Sequence, residues 1–155
     1  MNNYVDSGIL LVDKPTGMTS HDVVNKVRRL YHTKKVGHAG TLDPMASGVL
    51  VLCLNKATKA LQFLSADHKV YVATLSLGTS TDTYDGEGQV TASAPFNGYN
   101  HLDDVMASFI GDIWQIPPLY SAIKINGKKL YEYAREGKTI DVPPRQVHID
   151  YIKVL

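Results

Sequence analysis

The chain has 155 residues, of which 44% are hydrophobic and 20% are charged, and its formal net charge is +1. This length suits one compact domain and is short for two, and the single cysteine, Cys53, excludes both a disulfide framework and a cysteine metal cluster. No stretch has the length and apolarity of a membrane span, and the N-terminus lacks the features of a secretory signal, so a cytoplasmic protein is expected.

The first half of the chain predicts two strands and two helices. Residues 8–12 form a short apolar run that ends at a Pro- and Gly-containing turn, which predicts a buried strand. A helix capped by Thr19 or Ser20 should follow, since apolar residues then recur at helical spacing. A second strand is predicted over 49–54 and a short helix over 57–64. The residues expected to face inward from the first helix are Val23, Val27, Leu30 and Tyr31.

The second half predicts further strands separated by turns. Residues 69–77 carry apolar side chains on both faces of an alternating pattern, which predicts a central strand. The polar stretch 79–88 lacks the ligand spacing of an EF-hand loop, so a calcium site is excluded. The remaining predicted elements are a strand from Val90, a helix over 102–109 closed by Gly111, strands over 112–116 and 121–125, an Asn126–Gly127 turn, a helix over 130–135 and a strand over 146–155. Together they indicate a single α+β domain with a mixed, largely antiparallel central sheet and flanking helices.

A glycine-spaced loop over 36–48 places one carboxylate, Asp43, just before the second strand. Pro44 disfavours a helical conformation at Asp43, and the neighbouring Leu42 and Met45 make the surroundings partly apolar. A carboxylate desolvated in this way can act as a nucleophile or base. The alternative is an Asp-Pro turn in which the carboxylate bonds to the backbone two residues on. Local composition alone leaves both interpretations open.

His38 is the histidine with a suggestive position, because it lies between Gly37 and Ala39 in the same loop. A ring there could project towards a ligand, since loops often carry binding residues. The other histidines are scattered without metal-ligand spacing. The chain also lacks the phosphate-binding, dinucleotide-binding and zinc-helix motifs, so the best-known nucleotide, nicotinamide and zinc enzyme classes lose their support.

Charge is distributed unevenly along the chain. Residues 78–112 contain no Lys or Arg, and basic residues cluster on either side of this segment. Two basic patches favour a polyanionic partner such as nucleic acid, although solvated helix faces would give the same pattern. The two groups are Lys14, Lys26, Arg28, Arg29, Lys34 and Lys35, and Lys124, Lys128, Lys129, Arg135 and Lys138.

The loop around Asp43 resembles a family signature. The sequence GHAGTLDP at 37–44, followed by ASGVL at 46–50, is similar to that of the bacterial tRNA pseudouridine synthase B family. Other stretches resemble further blocks of this family in the same order, so the resemblance runs nearly from end to end. These stretches are 8–15, 17–20, 57–59, 69–71, 77–78 with 81–85, and 115–118 with 120–122.

The resemblance implies an isomerase that converts the uridine of the tRNA T-arm loop to pseudouridine. Asp43 would be the catalytic aspartate, acting at the glycosidic carbon after the uridine is flipped out of the RNA. Whether it attacks the carbon, adds to the base or removes a ribose proton stays open. Tyr71 would stack on the extruded uracil, with a core aromatic as its alternative, and His38 would enter the space that the base leaves. The reaction needs no metal or cofactor.

The resemblance also implies RNA contacts outside the catalytic residue. Lys14 and Lys59 would contact phosphates, although each could equally be a solvated lysine. Gly40 and Thr41 would lie at the substrate, and Asp82 would anchor a supporting loop. The expected partner is the T-arm stem-loop of tRNA, and the protein is expected to be a monomer that does not bind membranes.

Two departures from the family pattern matter. Asn55 stands where such sequences often have Gly, a change expected to alter only a turn. Family members continue with an arginine-bearing strand, whose Arg pairs with the catalytic carboxylate, and a C-terminal PUA-like RNA-binding domain, so residues 1–155 are expected to be the N-terminal portion of the catalytic domain. The alternatives are a pseudouridine synthase acting on another RNA and a non-catalytic module that binds or folds RNA.

Overall fold

The structure, a computed structural model, describes residues 6–64, 68–98, 100–121 and 123–155. The chain divides into two compact units, Met1–Val72 and Ala73–Leu155. The mixture of helices and antiparallel sheets confirms the expected α+β class, and the assignment of residues 1–155 to one catalytic domain stays a prediction. Within the described ranges, no helix has both the length and the apolarity needed to cross a bilayer.

The first unit is built on a three-stranded antiparallel sheet. Its strands are β1 (Gly8–Lys14), β2 (Val36–His38) and β3 (Gly48–Leu54), in the order β1-β3-β2. In the central strand, Leu52 lies opposite Leu10 of β1 and also opposite the last residue of β2. The two strands predicted from apolar runs, β1 and β3, are confirmed. The chain passes from β2 to β3 through the loop that carries Asp43.

Helix α1 (Ser20–Leu30) packs on this sheet and begins at a capping box. The Thr19 side chain accepts a hydrogen bond from the Asp22 backbone N–H, and the Asp22 carboxylate accepts bonds from the Thr19 hydroxyl and N–H. These bonds lower the pKa of Asp22, the hydroxyl contributing most. The predicted cap is thus confirmed. The buried core under the helix comprises Val23, Val24, Val27, Val36, Leu50, Leu52 and Leu54.

The predicted inward positions of Leu30 and Tyr31 are wrong. Leu30 is 73% exposed and Tyr31 is 37% exposed. The core cluster beneath α1 ends at Val27, so the apolar pattern continues past the part of the helix that has a buried partner.

The chain leaves β3 through a residue in the left-handed conformation. Asn55 has φ +53°, a region that glycine and asparagine enter at the lowest cost. Its side-chain oxygen accepts a hydrogen bond of 2.5 Å from the Thr33 hydroxyl. A 3₁₀ helix over Asn55–Ala60 and helix α2 (Leu61–Leu64) follow. Asn55 therefore suits this left-handed position, as glycine would.

The predicted central strand over 69–77 is absent from the structure. These residues have no strand assignment, and Val70, Tyr71 and Val72 are 75%, 65% and 84% exposed. A strand requires a hydrogen-bonded neighbour, and none of the described strands pairs with this segment. Its alternating pattern is typical of a strand, but no strand among the described residues pairs with it.

The second unit contains short elements in three separate two-stranded antiparallel sheets. The predicted strand near Val90 and helix after residue 102 are confirmed. All strand pairs among the described residues are antiparallel, in agreement with the largely antiparallel pairing expected, but they fall into separate sheets rather than one central sheet. The elements are β4 (Thr79–Thr81), β5 (Val90–Ser93), α3 (Leu102–Ala107), β6 (Gly111–Gln115), β7 (Lys124–Ile125), β8 (Lys128–Lys129), α4 (Leu130–Arg135) and β9 (Arg145–Ile149), with β4 paired to β5, β6 to β9 and β7 to β8.

Two local predictions in this unit concern turns and strand length. Asn126 and Gly127 have φ of +52° and +80°, so they form the predicted tight turn between β7 and β8, with both central residues left-handed. The last predicted strand is shorter than expected, because β9 ends at Ile149 where its pairing with Gly111 ends.

Candidate functional site

The loop that carries Asp43 connects β2 to β3 and is held in a defined turn. The Ala46 N–H donates to the Asp43 backbone carbonyl at 3.1 Å, which places Pro44 at the second position of a β-turn. From the connection between β1 and α1, the Gly17 N–H donates to the Pro44 carbonyl at 2.8 Å. The loop is therefore fixed both by its own turn and by a neighbouring segment of the chain.

Ser20, the first residue of α1, also holds this loop. It is 3% exposed, and its Oγ donates to the Leu42 carbonyl at 3.0 Å and accepts from the Leu42 N–H at 2.9 Å. The sequence pattern predicts Ser20 only as a candidate helix cap. The two adjacent hydroxyls of Thr19 and Ser20 were the signal in the sequence for a second role. A helix cap uses one hydroxyl, so the other can bond to a different part of the chain.

Lys14 is a buried support of the loop. Its side chain is fully buried, and Nζ donates to the carbonyls of Pro15 at 2.9 Å, Met18 at 2.7 Å and Pro44 at 3.5 Å. This placement contradicts the expected phosphate contact, because an ammonium enclosed by carbonyls is not presented to RNA. The resemblance implied either a phosphate contact or a solvated lysine, and neither describes this buried side chain.

The Asp43 side chain is exposed, so the expected desolvation of its carboxylate is not found. The alternative interpretation, a carboxylate that bonds to the backbone within the turn, is also not observed: in the described part of the chain, the turn bond uses the backbone carbonyl of Asp43. The geometry therefore presents a carboxylate to solvent from a braced loop. Such a group can approach a reacting carbon in a bound substrate without first breaking a structural bond.

His38 stands at the end of β2 with its ring oriented by the loop. Its Nδ1 lies 2.6 Å from the Gly40 carbonyl oxygen. A carbonyl only accepts, so Nδ1 carries a proton, and in the neutral ring Nε2 is then an acceptor. The ring is half-buried. The structure thus fixes one edge of the ring in the loop.

Gly40 and Thr41 form the side of the loop open to solvent. A Cβ built at Gly40 would meet nothing within 4 Å, and its φ lies outside the left-handed region. Neither backbone strain nor packing within the described residues therefore requires glycine there. Thr41 is exposed. The open space beside Gly40 suits the close approach of a substrate, which is the role expected for both residues.

The remaining expected site residues lie in different settings. Tyr71 is 65% exposed, which contradicts its alternative as a core aromatic and leaves the ring accessible for stacking. Lys59 is exposed in the 3₁₀ helix, as a phosphate contact requires. Asp82 lies in the second unit, where its carboxylate accepts a bond of 2.8 Å from the Gln89 N–H. This bond spans the base of a polar loop and gives Asp82 the geometry of a loop anchor.

The first basic group divides into accessible and structural residues. Lys26 and Arg29 are exposed and line an open groove of about 580 Å³ on α1. The Arg28 guanidinium instead donates to Asn25 Oδ1 at 3.2 Å and to the Val36 carbonyl at 3.3 Å, which ties α1 to β2. Arg28 is therefore part of the fold.

The second basic group is combined with tyrosines around α4. Lys129 Nζ and the Arg135 guanidinium lie 5.3 and 5.2 Å from the centre of the Tyr131 ring. Lys128 bonds to Glu136, which lowers the pKa of that carboxyl, as does the bond from Lys138. Part of this positive charge is therefore compensated within the unit. Among the described residues, no group of three or more His, Cys, Asp or Glu side chains is arranged to hold a metal ion.

The chain matches a family model and curated relatives. Residues 28–155 match the model described as TruB family pseudouridylate synthase (N terminal domain). A tRNA pseudouridine synthase B of Ligilactobacillus salivarius is 51% identical over 150 residues, covering 94% of this chain and 49% of the relative. The protein of the same name from Psychrobacter cryohalolentis is 51% identical over 160 residues, covering 99% of this chain and 45% of the relative.

A solved structure is also similar. The match, from a crystal structure of a Cbf5-Nop10-Gar1 complex, has a TM-score of 0.60 and 29% sequence identity, and it covers 96% of this chain and 35% of that one. The chain spans about half the length of the curated relatives it matches. The chain therefore belongs to the TruB family of pseudouridylate synthases.

Proposed function

We propose that the chain is the N-terminal catalytic portion of a tRNA pseudouridine synthase that isomerises the T-arm loop uridine. The proposal is supported by sequence identity, because about half of the aligned residues are identical to those of relatives named tRNA pseudouridine synthase B. The isomerisation adds no group and changes no oxidation state, so it requires no metal or cofactor. The same proposal places the protein in the cytoplasm as a monomer.

The observation that carries the proposal is the exposed carboxylate of Asp43 on a braced loop. In the reaction, the bond between ribose C1′ and uracil N1 breaks, the ring turns, C5 bonds to C1′, and the proton displaced from C5 is released as N1 gains one. A carboxylate beside C1′ stabilises the positive charge that develops there, as in a retaining glycosidase. We assign this role to Asp43.

The remaining site residues handle the flipped nucleotide. The exposed Tyr71 ring stacks on the extruded uracil, a contact worth roughly 1–3 kcal/mol for base–aromatic pairs in general. His38, oriented by its bond to Gly40, fills the space that the base leaves. Gly40 and Thr41 border the substrate, Lys59 contacts phosphate, and Asp82 anchors its loop.

The test is tritium release from C5-labelled uridine in a T-arm stem-loop, using the full-length protein that contains this sequence. Asp43→Asn should abolish turnover while stem-loop binding is retained, because the substitution removes the charge and keeps the shape. Asp6→Asn, at an exposed carboxylate ahead of β1, is the matched control and should release tritium as the wild type does. Full turnover by Asp43→Asn would refute the assignment.

A second candidate function concerns the chain by itself, and the accessible charge of Lys26 and Arg29 favours it. The 155 residues should bind the stem-loop in a salt-dependent manner with little or no turnover. Replacing both residues by Gln should weaken binding and reduce its salt dependence, whereas Lys56→Gln with Lys153→Gln, at exposed lysines outside both basic groups, tests whether any loss of two charges has the same effect. Unchanged binding in the first variant would exclude this face of α1 as a contact.

A further inference from the structure

We propose that Ser20 is a positioning residue for the Asp43 carboxylate, an inference that rests on the proposed function. Ser20 is buried at the start of α1 and uses one hydroxyl to bond both backbone groups of Leu42. Leu42 directly precedes Asp43. The hydroxyl therefore acts on the backbone that carries the carboxylate, without touching the carboxylate itself.

The geometry explains why one hydroxyl can matter. The Leu42 N–H belongs to the peptide plane before Leu42, and its carbonyl belongs to the plane that joins Leu42 to Asp43. Bonding both groups fixes both planes, and the second plane sets where the Asp43 Cα lies. On the other side of Asp43, the Gly17 N–H and the Lys14 ammonium hold the Pro44 carbonyl. Asp43 is thus restrained on both sides.

The restraint is anchored in the core. Val23, Val24 and Val27 of α1 are buried against the sheet, and Leu42 packs against the same cluster. Ser20 stands at the first position of that helix, so the core fixes the backbone from which its hydroxyl bonds to Leu42. An exposed side chain on a surface loop otherwise samples many positions, and misplacement by about 1 Å can cost up to roughly 100-fold in rate.

The experiment compares Ser20→Ala with the wild type in the full-length protein under single-turnover conditions. At saturating stem-loop, the rate should fall by roughly 10- to 100-fold, with little change in the concentration of half-saturation. Ser20→Thr, which keeps the hydroxyl, should retain more of the rate. Ser108→Ala, which removes an exposed hydroxyl bonded to a backbone carbonyl in the second unit, is the control and should react as the wild type.

A second readout needs no turnover and uses the same full-length protein. Amide exchange at Leu42 should become faster in Ser20→Ala, while exchange at Leu52 in the core stays the same. If Ser20→Ala does not fold, Ser20→Cys gives the same comparison, because a thiol is a weak hydrogen-bond partner. A wild-type protein without turnover would refute the proposed function and leave the exchange test valid. An active Ser20→Ala protein with the wild-type rate would overturn the inference alone.

Discussion

Removing the buried ammonium of Lys14 should destabilise the first unit, and Lys14→Met does so with little change in side-chain volume. The substitution leaves the carbonyls of Pro15 and Met18 without the donor that now lies 2.9 and 2.7 Å away. The Pro44 carbonyl keeps the Gly17 N–H. Each buried acceptor left unsatisfied costs about 1–3 kcal/mol. Two acceptors give a range of about 2–6 kcal/mol.

The lower part of this range is expected, for two reasons. Pro15 is exposed, so water can partly replace the lost donor, and the substitution also removes the cost of burying a charge. The free energy of unfolding of this unit should therefore fall by roughly 2–3 kcal/mol. Amides of β3 that exchange by unfolding, such as Leu52, should then exchange roughly 30- to 140-fold faster, since 1.4 kcal/mol is tenfold.

The assay is amide hydrogen exchange, which reports on the first unit without requiring that the whole chain unfold together. Lys34→Met is the matched control, because Lys34 is exposed and a surface substitution of this kind changes stability by about 0.5 kcal/mol or less. Equal exchange rates at Leu52 in Lys14→Met and Lys34→Met would show that the Lys14 ammonium does not hold the Asp43 loop to the turn after β1.

Substitutions at three further positions test a hydrogen bond, a helix cap and a left-handed backbone conformation. The hydrogen bond with Asp112 raises the pKa of His148 above 6.5, with further support from the charges of Asp112 and Asp150. The stabilisation of the β6–β9 pair is therefore complete below pH 6.5 and is lost as the pH rises through the raised pKa. Asp112→Asn should lower the pKa of His148 in an NMR titration of the ring. Thr19→Ala should cost about 1 kcal/mol of stability through the lost cap and raise the pKa of Asp22 towards 3.8, measured by thermal unfolding and a carboxyl ¹³C titration. Asn55→Ala should destabilise the first unit by about 1–2 kcal/mol because alanine resists the left-handed conformation, whereas Asn55→Gly should cost less in the same unfolding experiment.

Each of these three has an outcome that contradicts its reasoning. A His148 titration that is the same in Asp112→Asn and the wild type would remove the ion pair as the cause of the shift. An unchanged Asp22 titration in Thr19→Ala would exclude the capping hydroxyl as its main partner. Equal stability of the Ala and Gly variants at position 55 would show that backbone conformation there is not limiting.

Local sequence signals predicted the parts of the fold that depend on near neighbours. The cap at Thr19, the turn at Asn126–Gly127 and the apolar strand β3 each rest on residues a few positions apart, and each is confirmed. The pattern over 69–77 failed because a strand also needs a partner, and sequence alternation does not specify one. The resemblance also misassigned Lys14, whose ammonium bonds to the carbonyl of Pro44, 30 residues further along the chain.

The candidate site shows the same division. Its position in a loop before β3 followed from glycine, proline and the apolar run, and Asp43 could be singled out there. The supports at Ser20 and Lys14 could not be predicted, because a hydroxyl and an ammonium bonded to distant carbonyls leave no periodic pattern in the sequence. Their roles depend on which backbone groups the fold brings beside them.

The bracing of the Asp43 loop has a consequence for how the protein is made. The bracing residues all lie ahead of residue 55, as do the loop itself and the strand β3 that follows it, within the first compact unit. The bracing residues are Lys14, Gly17 and Ser20. The contacts that shape the loop are therefore completed early in N- to C-terminal synthesis, while later residues are still within the ribosome.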